Sequence, residues 1–333
     1  MSDMAGTATG IEPERIWNAL WGSSTGTEKA MAAALAAGGD PHARNEAGES
    51  ILEVAFGCGN AGAARQLLQA GAAPSTGVDT GYTLAHLAVK NANTRDCWSE
   101  ACLGLAIEWG VDPLAAAALG ETPLMMAAKN GKEGCVRILL DAGANPRLGD
   151  RSGKSAIFYS LEGWGELEIL DALLNGGASL EEQLPSGARF LAEAARHEDR
   201  GCVEWALSRS ADVGARDSAG QGVLHAWAQS SAFDPRIAKM LAASGASLNA
   251  VDHQGQTPLL VAAKGKHWRG AAVLMELGAD PRIADERGER PSMACFAEGE
   301  AGLACALDAM SEALDLAEHA PLCVDSAGRA ARL

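Results

Sequence analysis

Eight glycines supply a ruler for this chain. Gly48, Gly81, Gly120, Gly153, Gly187, Gly220, Gly255 and Gly288 follow one another at intervals of 33, 39, 33, 34, 33, 35 and 33 residues. A period near 33 held over eight copies means a repeat array. One copy is too small to bury a core by itself, so neighbouring copies must stack to make one. That constraint argues against a single globular core with one deep pocket. It moves the search for function to a long surface built from equivalent positions.

With each glycine as position zero, the copies align. Thr stands at +2 in Thr83, Thr122 and Thr257, with Ser155 in the same place, and Pro stands at +3 in Pro123, Pro258 and Pro291. Thr-Pro reads as an N-cap followed by the first helical residue, where proline's missing N–H costs nothing. His86 and His225 hold +5, and Ala55, Ala88, Ala127, Ala194 and Ala262 hold +7, where helices must approach closely. A second helix follows with an apolar stripe, as in Cys135-Val136-Arg137-Ile138-Leu139. Gly71, Gly143, Gly245 and Gly278 close their copies near +23, a place suited to a helix C′ residue with positive φ. Turn-forming residues such as Asp217-Ser218-Ala219-Gly220 lead into the next copy.

These units resemble the ankyrin repeat family. The resemblance is carried by Gly120-Glu121-Thr122-Pro123-Leu124-Met125-Met126-Ala127-Ala128, by Leu139-Leu140-Asp141-Ala142-Gly143-Ala144, and by Gly255-Gln256-Thr257-Pro258-Leu259-Leu260-Val261-Ala262-Ala263. It spans roughly residues 35 to 310. It implies an all-α fold, an ankyrin-type solenoid of stacked helix-turn-helix units with protruding turn tips. The expected organisation has three parts. Residues 1–40 hold a disordered start and capping helices near Ile16–Leu20 and Glu28–Ala36. Residues 41–310 hold eight repeats, and residues 311–333 hold a cap helix, Glu312–His319, with a tail. The whole reads as one elongated domain.

Several copies depart from the pattern. The fifth lacks Thr-Pro and ends on Ser210 in place of glycine, and the sixth puts Trp227 at the small +7 site. The second copy carries six extra residues around Asn91–Glu100, and the sixth carries two around Phe233-Asp234-Pro235. Insertions of this kind map to surface loops.

Composition narrows the function classes. The formal net charge is −16, which disfavours nucleic acid and anionic membranes as partners. We find no secretory signal pattern and no apolar run long enough to span a membrane, so the expected location is cytoplasmic. Eight cysteines include no Cys-x-x-Cys; Cys135, Cys202 and Cys295 fall at core positions and read as buried free thiols. Abundant alanine and glycine suggest a bacterial source.

Two motifs imitate catalytic ones. Gly22-Ser23-Ser24-Thr25-Gly26 has the G-x-S-x-G pattern but no strand before it. Gly149–Ser155 looks like a phosphate loop, is one residue short, and is already explained by repeat phase. The histidines do not cluster, so no metal site is assigned. The reading assigns no catalytic residue and no cofactor.

The resemblance implies a recognition surface on the concave side, made of turn tips and helix A. The matching positions here are −2, −1, +1, +9 and +10. They give Asp79, Tyr82, Lys90, Asn91, Lys129, Asn130, Arg151, Lys154, Arg196, His197 and Lys264 as candidate partner-binding residues, with Trp98 of the insertion as an aromatic anchor. Most are basic or amides, so the surface reads as a mildly basic stripe on an acidic chain, opposed by Glu162 and by Glu46, Glu49, Asp79, Glu121, Glu286, Glu289 and Glu298, mostly towards its ends. The expected function is a non-enzymatic protein-protein interaction module, monomeric until it meets a partner with an acidic patch. It would serve as an adaptor or as an inhibitor of the immunity type; a translocated effector or an enzyme's regulatory subunit is the alternative. Of the tryptophans, Trp109, Trp205 and Trp227 are expected in the core.

Overall fold

The structure is a computed structural model that describes residues 14–21, 24–74, 81–90, 96–163, 166–230, 233–319, 322–324 and 330–332. It packs as two compact units, residues 1–179 and 180–333. Each unit is a stack of short helical hairpins, one hairpin per glycine interval.

The first unit opens with α1 (Glu14–Asn18), a 3₁₀ turn and α2 (Ser24–Ala36). Four hairpins follow: α3 (Ile51–Gly57) with α4 (Ala61–Gln69), α5 (Leu84–Lys90) with α6 (Asp96–Glu108), α7 (Pro123–Lys129) with α8 (Glu133–Asp141), and α9 (Ala156–Glu162) with α10 (Leu167–Asn175). Helices α3, α5, α7 and α9 are helix A of their repeats and pack each on the next, while α4, α6, α8 and α10 are helix B. The core runs between the two rows through Ile51, Leu67, Leu103, Leu139, Ile157 and Leu173, all fully buried.

The second unit holds α11 (Phe190–Arg196) with α12 (Arg200–Ser208), α13 (Val223–Ala228) with α14 (Pro235–Ala243), α15 (Pro258–Lys264) with α16 (Trp268–Glu276), and α17 (Pro291–Ala297) with α18 (Ala301–His319). The cap helix expected over Glu312–His319 is the second half of this 19-residue α18. After it, β1 (Leu322–Val324) pairs antiparallel with β2 (Ala330–Arg332), a pair of short strands in an otherwise helical fold. Val324 faces Ala330, four residues before and two after Gly328. Arg44 bridges Ser50 around Gly48, and Gln183 bridges Arg189 around Gly187, in that same register. Asp325-Ser326-Ala327-Gly328 also repeats Asp217-Ser218-Ala219-Gly220. The two strands thus hold the register that the isolated bridges hold around Gly48 and Gly187.

All eight ruler glycines have φ between +69° and +83°. At Gly187 a side chain would also meet Ser218, since a Cβ there would lie 2.6 Å from its backbone nitrogen. Within each unit, backbone bonds join neighbouring tips. The N–H at −2 donates to the carbonyl at −1 of the preceding tip: Arg151 to Leu119 at 3.0 Å in the first unit, and Ser218 to Ser186 at 2.9 Å in the second. Ser210 adopts φ +61° where other repeats use their closing glycine, so the turn geometry is kept at some backbone strain.

Thr122 and Thr257 cap α7 and α15 as expected, accepting the N–H of Met125 at 3.3 Å and of Leu260 at 3.2 Å. Ser155 stands at the N-cap of α9, but its hydroxyl accepts no bond from that helix. The extra residues of the second repeat are also redistributed. Helix α6 has 13 residues where α8 has 9, so part of the insertion lengthens helix B and only part enlarges the loop.

His86 and His225 are wholly buried and tie repeats together. His86 Nδ1 accepts the Thr83 N–H at 3.1 Å, which leaves Nε2 to carry the proton and donate to the Glu121 carbonyl at 3.0 Å. His225 does the same between the Gly222 N–H and the Gln256 carbonyl. Burial lowers both pKa values below the ordinary 6.5, against the smaller opposing effect of the carbonyl bond. The unfolded chain thus binds protons first, so this stability is present above 6.5 and is lost as pH falls below it. The thermal midpoint should drop as pH is lowered from about 7 to about 5. Replacing both rings with Gln should flatten that slope, and an unaltered slope would reject this assignment.

Cys102, Cys135, Cys202 and Cys295 are buried thiols, as expected for the last three. Burial pushes the Cys102 thiol up to about 12, which removes it as a nucleophile at neutral pH.

Candidate functional site

Within the first unit, the turn tips and helix A of three consecutive repeats converge on both tyrosines of the chain, Tyr82 and Tyr159. Tyr82, at +1, donates its hydroxyl to Glu121 Oε2 at 2.8 Å. Tyr159, on α9, donates to Asp150 Oδ2 at 2.9 Å, with Glu121 Oε1 at 3.2 Å as a second acceptor. Glu121 thus bridges the two phenols. Burial, reinforced by the acidic partners, raises the pKa of both tyrosines, so both stay protonated donors at neutral pH.

A lysine stands over each ring. Lys90 Nζ lies 5.3 Å from the Tyr82 centroid and Lys129 Nζ lies 5.6 Å from that of Tyr159. Such contacts hold an ammonium by the negative face of the ring. Tyr82 in turn stacks on His86 at 5.3 Å. Lys129 also pairs with Glu162 at 2.9 Å, and Lys154 pairs with the other oxygen of the same carboxylate. Leu119 lies at the next tip, at −1, and is 62 % exposed. Arg151 is exposed beside it in the tip ladder.

Most of the basic residues expected on this surface meet carboxylates of the chain itself. Glu162 takes Lys129 and Lys154. In the second unit Lys264 reaches Asp285 at 2.6 Å and Glu289 at 2.9 Å, and Arg196 reaches Glu193 at 3.3 Å. Asn130 is also committed elsewhere. Its amide donates to the carbonyls of Val89 at 2.8 Å and Lys90 at 2.9 Å, closing the C-terminal end of α5. It is a clamp between repeats and has no donor left for a partner.

The remaining expected residues scatter. His197 is exposed at the C-cap of α11. Trp98 stands on the first turn of α6 and is 39 % exposed. Asp79 and Asn91 lie outside the described residues. Trp205 and Trp227 are in the core as expected, but Trp109 is 39 % exposed because it follows the last turn of α6. Sequence reasoning missed Leu119 and Tyr159. An apolar residue at −1 was a visible signal for the first. Tyr159 sits at +6, which the other repeats fill chiefly with aliphatic side chains, so nothing marked its hydroxyl as outward-reaching.

The phosphate-loop imitation is closed by its own backbone. In Gly149–Ser155, the amides that would cradle a phosphate are occupied. Ser152 and Lys154 N–H both donate to Asp150 Oδ1, at 2.8 and 2.9 Å, and Gly153 N–H donates to the Asp150 carbonyl at 2.9 Å. Ser24-Thr25-Gly26 lie inside α2, while Gly22 and Ser23 fall outside the described residues. Among the described residues, no group of three His, Cys, Asp or Glu side chains is placed to hold a metal. No helix among them is long and apolar enough to cross a membrane.

Comparison with known proteins fits this architecture. A family model described as ankyrin repeats in three copies matches residues 99–183 and 191–285. Human neurogenic locus notch homolog protein 1 is 30 % identical over 145 residues, which is 43 % of this chain and 6 % of that protein. The ankyrin repeat protein nuc-2 of Neurospora crassa is 30 % identical over 222 residues, 64 % of this chain and 20 % of that one. The chain thus spans a small fraction of the length of these relatives. The crystal structure of the ankyrin repeat domain of Bcl-3, a member of the IkappaB family, superposes with a TM-score of 0.53 at 25 % identity. The match covers 68 % of this chain and 99 % of that domain.

Proposed function

The chain belongs to the ankyrin repeat family, and from that premise we propose that it is a non-enzymatic module that binds a protein partner on the tip-and-helix-A face of its first unit. The observation that carries this is Leu119. It is a large apolar side chain, 62 % exposed, on the tip between the two tyrosine-bearing repeats. Around it the polar groups are already fixed by Glu121, Asp150 and Glu162. A surface so preorganised loses little freedom on association. Aromatic and apolar anchors at the centre of a patch carry most of an interface's energy.

The charge compensation alters the partner that fits. Lys129 and Lys154 share the single carboxylate of Glu162, which engages both and leaves one positive charge over, beside Lys90, over its ring, and Arg151 at the tip. We therefore expect a partner that offers an apolar side chain to Leu119, flanked by one or two carboxylates. A uniformly acidic patch fits less well. An intracellular adaptor or inhibitor is the role we carry forward.

The test uses immobilised protein and a lysate from the source organism. The wild type and Leu316→Asp, a change on exposed α18, should retain the same proteins. Leu119→Asp should weaken capture by tenfold or more, on the order of the loss of one interface anchor. Undiminished capture by a folded Leu119→Asp variant would remove this face from the account.

A further inference from the structure

In the turn that leads to each tip, the N–H at −6 donates to the side chain at −8. Leu114 does so to Asp112, Arg147 to Asn145 and Arg282 to Asp280, at 2.9, 3.0 and 2.9 Å. Gly214 makes the same bond to Asp212 at 2.9 Å, so it is their equivalent in the sixth repeat. The other seven repeats all carry a side chain at −6. Position +2 changes in the same repeat. It is Ser, Thr or Arg in the other seven and Gly222 in the sixth. Neither glycine is demanded by the backbone, since neither has a positive φ. A Cβ on Gly214 would come no nearer than 3.4 Å to Asp212 Oδ1, and one on Gly222 no nearer than 3.8 Å to the Ala215 carbonyl. Both are ordinary contacts.

What the two glycines leave is space. A cleft of about 110 Å³ opens between the turn at 213–216, the start of α13 and the turn at 245–250, all within the second unit. Val213, Val223, Leu224 and Ala246 give it apolar walls. An apolar cavity of about 150 Å³ admits benzene, so this cleft has room for a single aliphatic side chain. His225 lines it too, but both ring nitrogens are spent on the Gly222 N–H and the Gln256 carbonyl.

One charged side chain lines this space, Arg216. Its Nη1 donates to the carbonyls of Gly220 at 2.9 Å and Val251 at 2.5 Å, and it meets no carboxylate among the described residues. Asp217 and Asp252, in the adjoining tips, spend Oδ1 on backbone N–H groups of those tips. The Nε and Nη2 edge of Arg216 therefore remains. It offers two parallel donors that match the two oxygens of a carboxylate. Val251, held beside Arg216 by its carbonyl and 42 % exposed, adds an apolar rim.

We propose that this cleft receives the C-terminal residue of a protein chain, with an aliphatic side chain between the apolar walls and the terminal carboxylate on Arg216. The chemistry selects a terminus. The cleft takes one residue, and among the residues of a protein only the last carries an apolar side chain and a carboxylate together. An internal aspartate or glutamate supplies the charge without the apolar group. A small free acid has both groups but nothing to lay on Val251, where the preceding residues of a chain would lie. Capture of a terminal carboxylate by fixed donors is a recurring mode of peptide recognition. The site is independent of the Leu119 face on the first unit.

Isothermal titration calorimetry on the full chain tests it, with the acetylated peptide Ser-Ala-Ser-Ala-Ser-Leu as the free acid. The wild type should bind it with Kd about 100 µM. The C-terminal amide of the same peptide, and the acid ending in alanine, should each bind at least about tenfold more weakly. The double variant Gly214→Leu/Gly222→Thr restores side chains that the third repeat carries as Leu114 and Thr122, so it should keep the fold by circular dichroism and lose at least about tenfold in affinity. Arg216→Gln should abolish the preference for acid over amide, a ratio that loss of folding does not set. Leu119→Asp should bind the peptide as the wild type does, which separates this site from the face on the first unit. No binding by the wild type up to about 1 mM overturns the proposal. So does an amide that binds as the acid does, a double variant with wild-type affinity, or 4-methylpentanoate that binds as tightly as the peptide.

Discussion

Leu139→Ala should destabilise the first unit by about 2–5 kcal/mol, the range for deleting a fully buried leucine side chain and leaving a cavity. Leu139 is wholly inaccessible on α8, beside Cys135 and Val136 on the same buried stripe. Helix α8 touches α6, α7 and α10, so the cavity opens where three helices meet. In a stack, each repeat is stabilised by its neighbours, so the loss should spread to adjoining hairpins before it reaches distant ones. Hydrogen exchange on the variant should show the amides of α6, α7, α8 and α10 losing most protection. A cost below about 1 kcal/mol, or protection lost evenly along the chain, would contradict this packing account.

The second large effect lies in the other unit. Trp227→Ala should cost about 3–5 kcal/mol. Trp227 is fully buried and meets Phe233 edge-on at 5.6 Å. Phe233 belongs to the two-residue insertion of the sixth repeat and sits at φ +58°. The Glu198 carboxylate holds it there, accepting the N–H groups of Phe233 and Asp234 and the Ser230 hydroxyl. Gly270 makes room for its ring, since a Cβ there would come within 2.5 Å of it. The oversized residue at +7 and the insertion that follows are therefore one packing device. Trp227 Nε1 has no hydrogen-bond acceptor among the described residues. Trp227→Phe removes that unpaired donor while keeping most of the ring, so it should cost less than about 1.5 kcal/mol. Urea denaturation of the two variants separates the contributions. Equal losses would show that ring volume does not govern this site.

Much of the fold was legible because its signals are local. A glycine that must adopt positive φ, a threonine that caps and a proline that opens a helix each act over a few residues. A fixed period then carries them along the chain. The candidate face was legible only as a set of positions. Tyr82, Lys90, Lys129 and Lys154 were named from the repeat frame and do gather in one network. The acceptors that organise them were weighed too lightly. Glu162 was read as one opposing charge, yet it takes two lysines at once. Asn130 is expected on the partner-binding surface, yet its amide closes a helix of the preceding repeat. The pairing of β1 with β2 was not legible because α18 is ten residues longer than α16, which moves Gly328 out of the spacing of 33.

By itself, then, the sequence determined the repeat, the helix boundaries near their caps, and which positions of each unit face which way. Those properties follow from backbone torsions and from side-chain periodicity, and neither needs a distant partner. Only the tertiary structure decided which charges were spent. Lys129 meets a carboxylate 33 residues away, across one repeat boundary, and the direction of a long flexible side chain is set by what lies opposite it. Only it decided, too, that Phe296 stands in solvent while Phe56, at the same position of the first repeat, is buried. Burial belongs to the neighbour as much as to the residue.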